Sequence, residues 1–146
     1  MCNMEGKKRV LFLCIHNSAR SQMAEGLLNA LYGDAYEAYS AGIKPLGVNP
    51  YAIRVMKEIG IDISHHCSKG VEEFLGQEFD YVVTVCGGSP DADACPFFPG
   101  GKNYIHKGFE DPAQASGSEE DIMRIFRRVR DEIKEWIIEV FGKGKG

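Results

Sequence analysis

The chain has no apolar run long enough to cross a bilayer, no Cys-x-x-Cys pair, no internal repeat and no linker-like stretch dividing it. A spanning helix needs about 20 apolar residues, whereas the run from Val10 to Ile15 stops at His16 and Asn17. Lys7, Lys8 and Arg9 precede that run in the manner of a secretory signal, but no small-residue cleavage site follows, so it reads as a strand and the expected compartment is the cytosol. A basic stripe is also missing. Asp and Glu outnumber Lys and Arg by 21 to 17 for a formal charge of −4, and the cations are dispersed, which argues against a nucleic-acid binder. Any anion must therefore be attracted locally.

Without a Cys-x-x-Cys pair, a zinc-binding module would have to use His65, His66, Cys67, Cys86 and Cys95, whose spacing is poor; no metal and no bound cofactor are expected. The cysteine count is odd: Cys2, Cys14, Cys67, Cys86 and Cys95. In a reducing compartment such a set speaks for thiol chemistry rather than for a disulfide framework. A length of 146 residues suffices for one domain, 1–146, with an ordered core over about 8–141 and ends that fray, the last from Gly142.

What the chain does contain is a series of strand patterns alternating with helix patterns. Val10 to Ile15 is uninterrupted in its apolar character, as a buried parallel strand is. Met23, Ala24, Leu27, Leu28 and Leu31 follow at helical spacing, with Ser18 or Ser21 as the cap and Gly33 as the stop. Ala35 to Ser40 reads as a second strand, and Asn49-Pro50 opens a helix that Gly60 ends. A short helical stretch near Ser68 to Leu75 precedes a strand over Tyr81 to Val85 and a weaker one over Asn103 to His106. After Ser118-Glu119-Glu120-Asp121, the residues Ile122, Ile125, Phe126, Val129, Ile133, Trp136, Ile137, Val140 and Phe141 trace one face of a final helix. The alternation predicts an α/β fold: a small parallel sheet with helices on both faces and ligands bound beyond the carboxyl ends of its strands.

The most informative segment lies at one such strand end. In CIHNSARS, Cys14 and Arg20 flank Ile15, His16, Asn17, Ser18 and Ala19, with Ser21 next. A cysteine between a strand and a helix N-terminus meets the positive end of the helix dipole, which favours thiolate over thiol. The backbone N–H groups of residues 15–21 and the Arg20 fork can then hold a tetrahedral oxyanion against the sulfur, helped by the hydroxyl of Ser18 or Ser21. Read blandly, Cys14 is a small core residue; the strand before it and the helix after it favour a nucleophile.

Together with VVTVCGG, Cys95-Pro96 and GFEDPA, this loop makes the chain resemble the thioredoxin-coupled arsenate reductases built on the low-molecular-weight tyrosine phosphatase fold. The resemblance runs from Lys8 to about Ile138 and includes YSAGIKPLGVNP, KEIGIDIS and RRVRDEI. It implies a four-stranded parallel sheet, catalytic roles for Cys14, Arg20, Cys86, Cys95 and Asp111, arsenate as substrate, and a monomer recycled by reduced thioredoxin, with glutaredoxin or a small thiol as other donors. By its implication Cys14 attacks arsenic, Cys86 attacks Cys14, and Cys95 attacks Cys86, carrying the oxidation outward.

Four positions depart from the family pattern. His16 stands where these loops often carry glycine, Lys107 where an aromatic is usual, and the segment from Cys86 to Cys95 is longer. Some relatives also build a potassium site from Asn, Glu, Ser and Asp; Asn17, Glu25 and Ser40 match, but Lys69 replaces the aspartate, so its ammonium is expected to stand in for the cation. The nearest alternative is a phosphotyrosine phosphatase using the same loop, with a weak phosphatase activity expected in either case. Against it stand Ala113-Gln114 in place of an aromatic pair after Asp111-Pro112, and two extra thiols that such an enzyme does not need.

Fully extended, the nine steps from Cys86 to Cys95 reach about 30 Å, while a disulfide holds α-carbons about 4.4–6.8 Å apart. Oxidation is accordingly expected to rearrange residues 86–98. Amide hydrogen exchange on the reduced and oxidised protein should differ there, and identical protection would contradict it.

Overall fold

The structure, a computed structural model, describes residues 7–85 and 98–145, with side chains through residue 142. Cys2, Cys86 and Cys95 lie outside the described residues. Four strands, β1 (Lys8–Cys14), β2 (Tyr36–Gly42), β3 (Phe79–Thr84) and β4 (Gly101–His106), form one sheet in the order β2-β1-β3-β4. All three pairings are parallel, as expected. With neighbours on both sides, β1 is buried from Val10 to Cys14, which is why its sequence shows no polar alternation.

Alternate residues of β1 feed two cores. Val10, Phe12 and Cys14 join the larger, under helices α1 (Arg20–Tyr32), α2 (Pro50–Glu58) and α3 (Glu119–Lys145). Leu11 and Leu13 join the smaller with Ala41, Phe79, Val82 and Phe98, covered by Phe74 of a 3-10 helix, Val71–Phe74. Among the described residues the two faces thus carry unequal helical cover, α1, α2 and α3 on one and the 3-10 helix Val71–Phe74 on the other.

Local signals account for most boundaries. Asn49 caps α2 by accepting from the Tyr51 N–H at 2.8 Å, with Pro50 at the first helical position, and Gly60 follows at φ +82°. Ser118 and Asp121 cap α3 reciprocally: the Asp121 N–H donates to Ser118 Oγ and the Ser118 N–H to Asp121 Oδ2. The helix continues to Lys145, into the tail expected to fray. Its stripe of Met123, Phe126, Val129, Ile133, Ile137 and Phe141 is buried, while Ile122, Ile125, Trp136 and Val140 are only partly so.

The start of α1 differs from expectation. Ala19 occupies the cap position without a side-chain bond, and Ser21 lies inside the first turn, so neither Ser18 nor Ser21 is the cap. The consequence is a helix end whose first N–H groups bond to no other described residue: the first helical bond runs from Met23 N–H to the Ala19 carbonyl. Among the described residues no helix is long and apolar enough to cross a membrane.

The sheet order changes direction at β1: the chain goes to β2 on one side and returns to β3 on the other. Crevices at such switch points, beyond the strand carboxyl ends, are where α/β sheets bind ligands. Phe126, 1% exposed, anchors α3 in the larger core. Phe126→Ala should lower unfolding free energy by about 3–5 kcal/mol, read by urea titration as a shifted midpoint with an unchanged slope.

Candidate active site

Cys14 closes β1 at that crevice, and the loop after it turns into α1. Cys14 is 2% exposed, and its sulfur lies 2.8 Å from Ser21 Oγ. Ser21 Oγ in turn accepts from Asn17 Nδ2 at 2.8 Å, which leaves its own hydrogen to point at the sulfur and support a thiolate. Of the two serines the sequence left open, Ser21 is the one on the sulfur.

Asn17 makes the turn. It is fully buried and is the non-glycine residue with positive φ among the described ones, at +48°. The glycine-like conformation therefore falls one residue after His16, and Asn is among the residues that tolerate it. Every polar group of Asn17 beyond its backbone N–H is tied. Its carbonyl accepts from Ser68 Oγ at 2.7 Å and Gln22 Nε2 at 3.2 Å, and Oδ1 accepts from the Lys69 N–H at 2.7 Å and Gln22 Nε2 at 3.0 Å.

Other loop carbonyls are held from outside as well. Ile15 accepts from the Lys44 N–H, His16 from the Leu46 N–H and Ser68 Oγ, and Ser18 from the Asn49 N–H. Meanwhile no hydrogen bond to another described residue engages the N–H groups of His16 to Ala19. Carbonyls directed outward and N–H groups left free are the arrangement of an anion-binding nest at a helix N-terminus.

Arg20 completes one wall. Its guanidinium is buried, donating to the Phe109 carbonyl at 3.2 Å and pairing with Asp111 Oδ2 at 3.5 Å. Asp111 is buried too, and its other oxygen accepts from the Ala113 N–H to cap the 3-10 helix Pro112–Gln114. The turn-forming and site-facing readings of Asp111 thus coexist. Cys14, Arg20 and Asp111 line a cavity of about 280 Å³ with His16, Ser18, Leu46, Val48 and Ala113 among its other walls. No Phe, Tyr or Trp is among the described residues lining it.

Behind the loop, His66 Nδ1 lies 2.9 Å from Gln22 Oε1. Since the Gln22 amide nitrogen donates to Asn17 and to the Cys67 carbonyl, Oε1 must accept, so Nδ1 carries the proton. Burial pushes the His66 pKa below the ordinary histidine value. Of the potassium set, Asn17 Oδ1 accepts two bonds, Ser40 Oγ donates to Glu25, and the Lys69 ammonium reaches the Cys67 carbonyl at 2.7 Å. Among the described residues no three His, Cys, Asp or Glu groups gather closely enough to hold a metal ion.

The structure therefore brings Cys14, residues 15–21 of the loop, Arg20 and Asp111 together, while Cys86 and Cys95 lie outside the described residues. Sequence reasoning missed the outer supports: Gln22, Gly42, Ser68 and the segment Lys44–Asn49. Their contacts cross from other elements, and only the glycine ending YSAG offered a local signal.

A cysteine and an arginine framing a nest at the switch point of a parallel sheet make an arrangement that fits a tetrahedral oxyanion. The family model for low molecular weight phosphotyrosine protein phosphatase matches residues 9–143, and the chain belongs to that family. An arsenate reductase of Halalkalibacterium halodurans is 53% identical over 127 residues, 87% of this chain and 90% of that protein. A solved arsenate reductase in an oxidised state superposes with a TM-score of 0.77 at 33% identity, covering 93% of this chain and 98% of that one. A thioredoxin-dependent arsenate reductase of Corynebacterium glutamicum gives 0.63 at 29% identity, over 94% of this chain and 63% of that one.

If the Ser21 hydroxyl supports the Cys14 thiolate, Ser21→Ala should slow iodoacetamide alkylation of Cys14 at pH 7 by about tenfold, the worth of one charge-assisted hydrogen bond. Mass spectrometry of the Cys14 peptide reads the rate, with Ser118→Ala as a distant control.

Proposed function

We propose that this chain reduces arsenate to arsenite, with Cys14 as nucleophile and a dithiol protein, thioredoxin, as the electron source. One observation carries the reading: Cys14, the free N–H groups of its loop, Arg20 and Asp111 converge on one small cavity, in a chain 53% identical to an arsenate reductase. The expected cytosolic setting supplies such donors.

The Cys14 thiolate attacks arsenic(V) while the loop N–H groups and Arg20 hold the other oxygens. Asp111, a carboxylate in the resting pair with Arg20, takes up a proton with the incoming hydrogen arsenate and gives it to the departing oxygen, which leaves as water. Cys86 then attacks the Cys14 sulfur. The S–As bond breaks with its electron pair going to arsenic, so arsenic(III) leaves as arsenite and a Cys14–Cys86 disulfide forms. Cys95 attacks Cys86, releases Cys14 as a thiolate, and leaves a Cys86–Cys95 disulfide for the external dithiol to reduce. Arsenic gains two electrons and two thiols lose them, so the balance closes.

Phosphoester hydrolysis is the second reading, favoured by the family model and by a cup that cannot tell phosphate from arsenate by shape or charge. The absence of aromatic rings from the described cavity wall speaks against a tyrosine-sized leaving group.

The relay and the hydrolysis separate experimentally. Cys14→Ser should abolish both arsenite production and hydrolysis of p-nitrophenyl phosphate. Cys86→Ser and Cys95→Ser should stop steady-state arsenate turnover with thioredoxin while any hydrolysis persists. Arsenite production by Cys14→Ser would overturn the assignment; turnover by Cys95→Ser with a small thiol but not with thioredoxin would make Cys95 an adaptor for the protein donor.

A further inference from the structure

Gly42 ends β2 and lies beside Cys14 in the parallel ladder. Its φ is not in the left-handed region, so its need for glycine is one of space. A Cβ at this position would fall 2.7 Å from the Ile15 carbonyl oxygen, 2.8 Å from Asn17 N and 3.0 Å from the Cys14 carbonyl oxygen. All three are backbone atoms of the oxyanion loop, with no flexible tip to swing aside. Nor is the strand end free to retreat: the Gly42 N–H donates to the Lys69 carbonyl at 2.9 Å, and Gly42 bridges Gly70.

Ser68 holds the same peptides from outside. Its hydroxyl lies 3.0 Å from the His16 carbonyl and 2.7 Å from the Asn17 carbonyl, so one hydrogen is shared between two acceptors. A peptide whose carbonyl is pinned outward has its N–H pinned in the opposite sense, because the amide is planar.

We propose that Gly42 and Ser68 are positioning residues of the oxyanion cup: Gly42 lets the loop lie against β2, and Ser68 turns two of its carbonyls outward. Together they keep the N–H groups aimed at the anion and Asn17 on the Ser21 hydroxyl that faces Cys14. Hydrogen bonds weaken steeply with angle, so a loop displaced by several tenths of an ångström loses several donors at once. This inference rests on the oxyanion reading of the cup but not on the later thiol relay.

The test measures inorganic phosphate affinity and Cys14 alkylation at pH 7 in wild type, Gly42→Ala, Ser68→Ala and Gly60→Ala. Gly60, at φ +82° with nothing within 4 Å of an added Cβ, is the control that strains the fold without touching the site. Gly42→Ala should lose phosphate affinity on the order of tenfold or more, and Ser68→Ala about three- to tenfold, each with slower alkylation. Gly60→Ala should lose thermal stability and keep both readouts. Ser68→Ala adds no volume, so it decides the matter if Gly42→Ala does not fold. Unchanged affinity and alkylation in the folded variants, or equal losses in Gly60→Ala, would overturn the proposal. A wild type that fails to bind phosphate would overturn the oxyanion reading itself.

Discussion

The site depends on one buried residue in an unusual backbone conformation. Asn17 turns the chain between β1 and α1 at positive φ, and its side chain and carbonyl take up donors from Gln22, Ser68 and Lys69 while its amide reaches Ser21. Strained or left-handed residues persist when their surroundings over-determine them. Here the surroundings are two stretches of chain, Gln22 in the first turn of α1 and the neighbours Ser68 and Lys69, so the shape of an eight-residue stretch, 14–21, is held by residues from 22 to 69.

That arrangement explains how one family can serve two chemistries. A cup of this kind fits three oxygens and a charge, which phosphate and arsenate share. What differs lies around the rim. The described cavity wall offers Leu46, Val48 and Ala113 but no aromatic ring to stack on a tyrosine, and the proposed redox cycle draws its further thiols, Cys86 and Cys95, from the sequence after β3. On the proposed reading fold and nucleophile are common property, and the outcome is decided by what stands next to them.

Much of the fold was legible because its signals are local. Asn49-Pro50, Gly60 and the Ser118–Asp121 box mark helix ends through bonds within a few residues of themselves, and the unbroken apolar β1 announces a strand covered on both faces. The nucleophile's surroundings were legible in part. Cys14, Arg20 and Asp111 meet as their spacing and family likeness implied, but α1 has no serine cap, and Ser21 instead serves the sulfur. A hydroxyl inside a first helical turn has two possible duties, and only tertiary contact chooses. The same holds for Lys69, whose ammonium turns to the Cys67 carbonyl while its backbone N–H does the work on Asn17. Of the outer supports, Gln22 and Ser68 were invisible because their bonds cross between elements, and only Gly42, at the end of YSAG, left a local signal.

The pairing of Arg20 with Asp111 gives the pocket its own internal counter-ion. A buried guanidinium left alone would draw in whatever anion solution offers; one already neutralised does not. A newcomer must outcompete a resident carboxylate, and a monovalent, weakly bonding ion such as chloride gains too little to do so. A polyvalent species that also fills the ring of amides recovers the loss several times over. The pair would in this way favour an ion that also fills the ring of amides over one that carries charge alone, ahead of any chemistry.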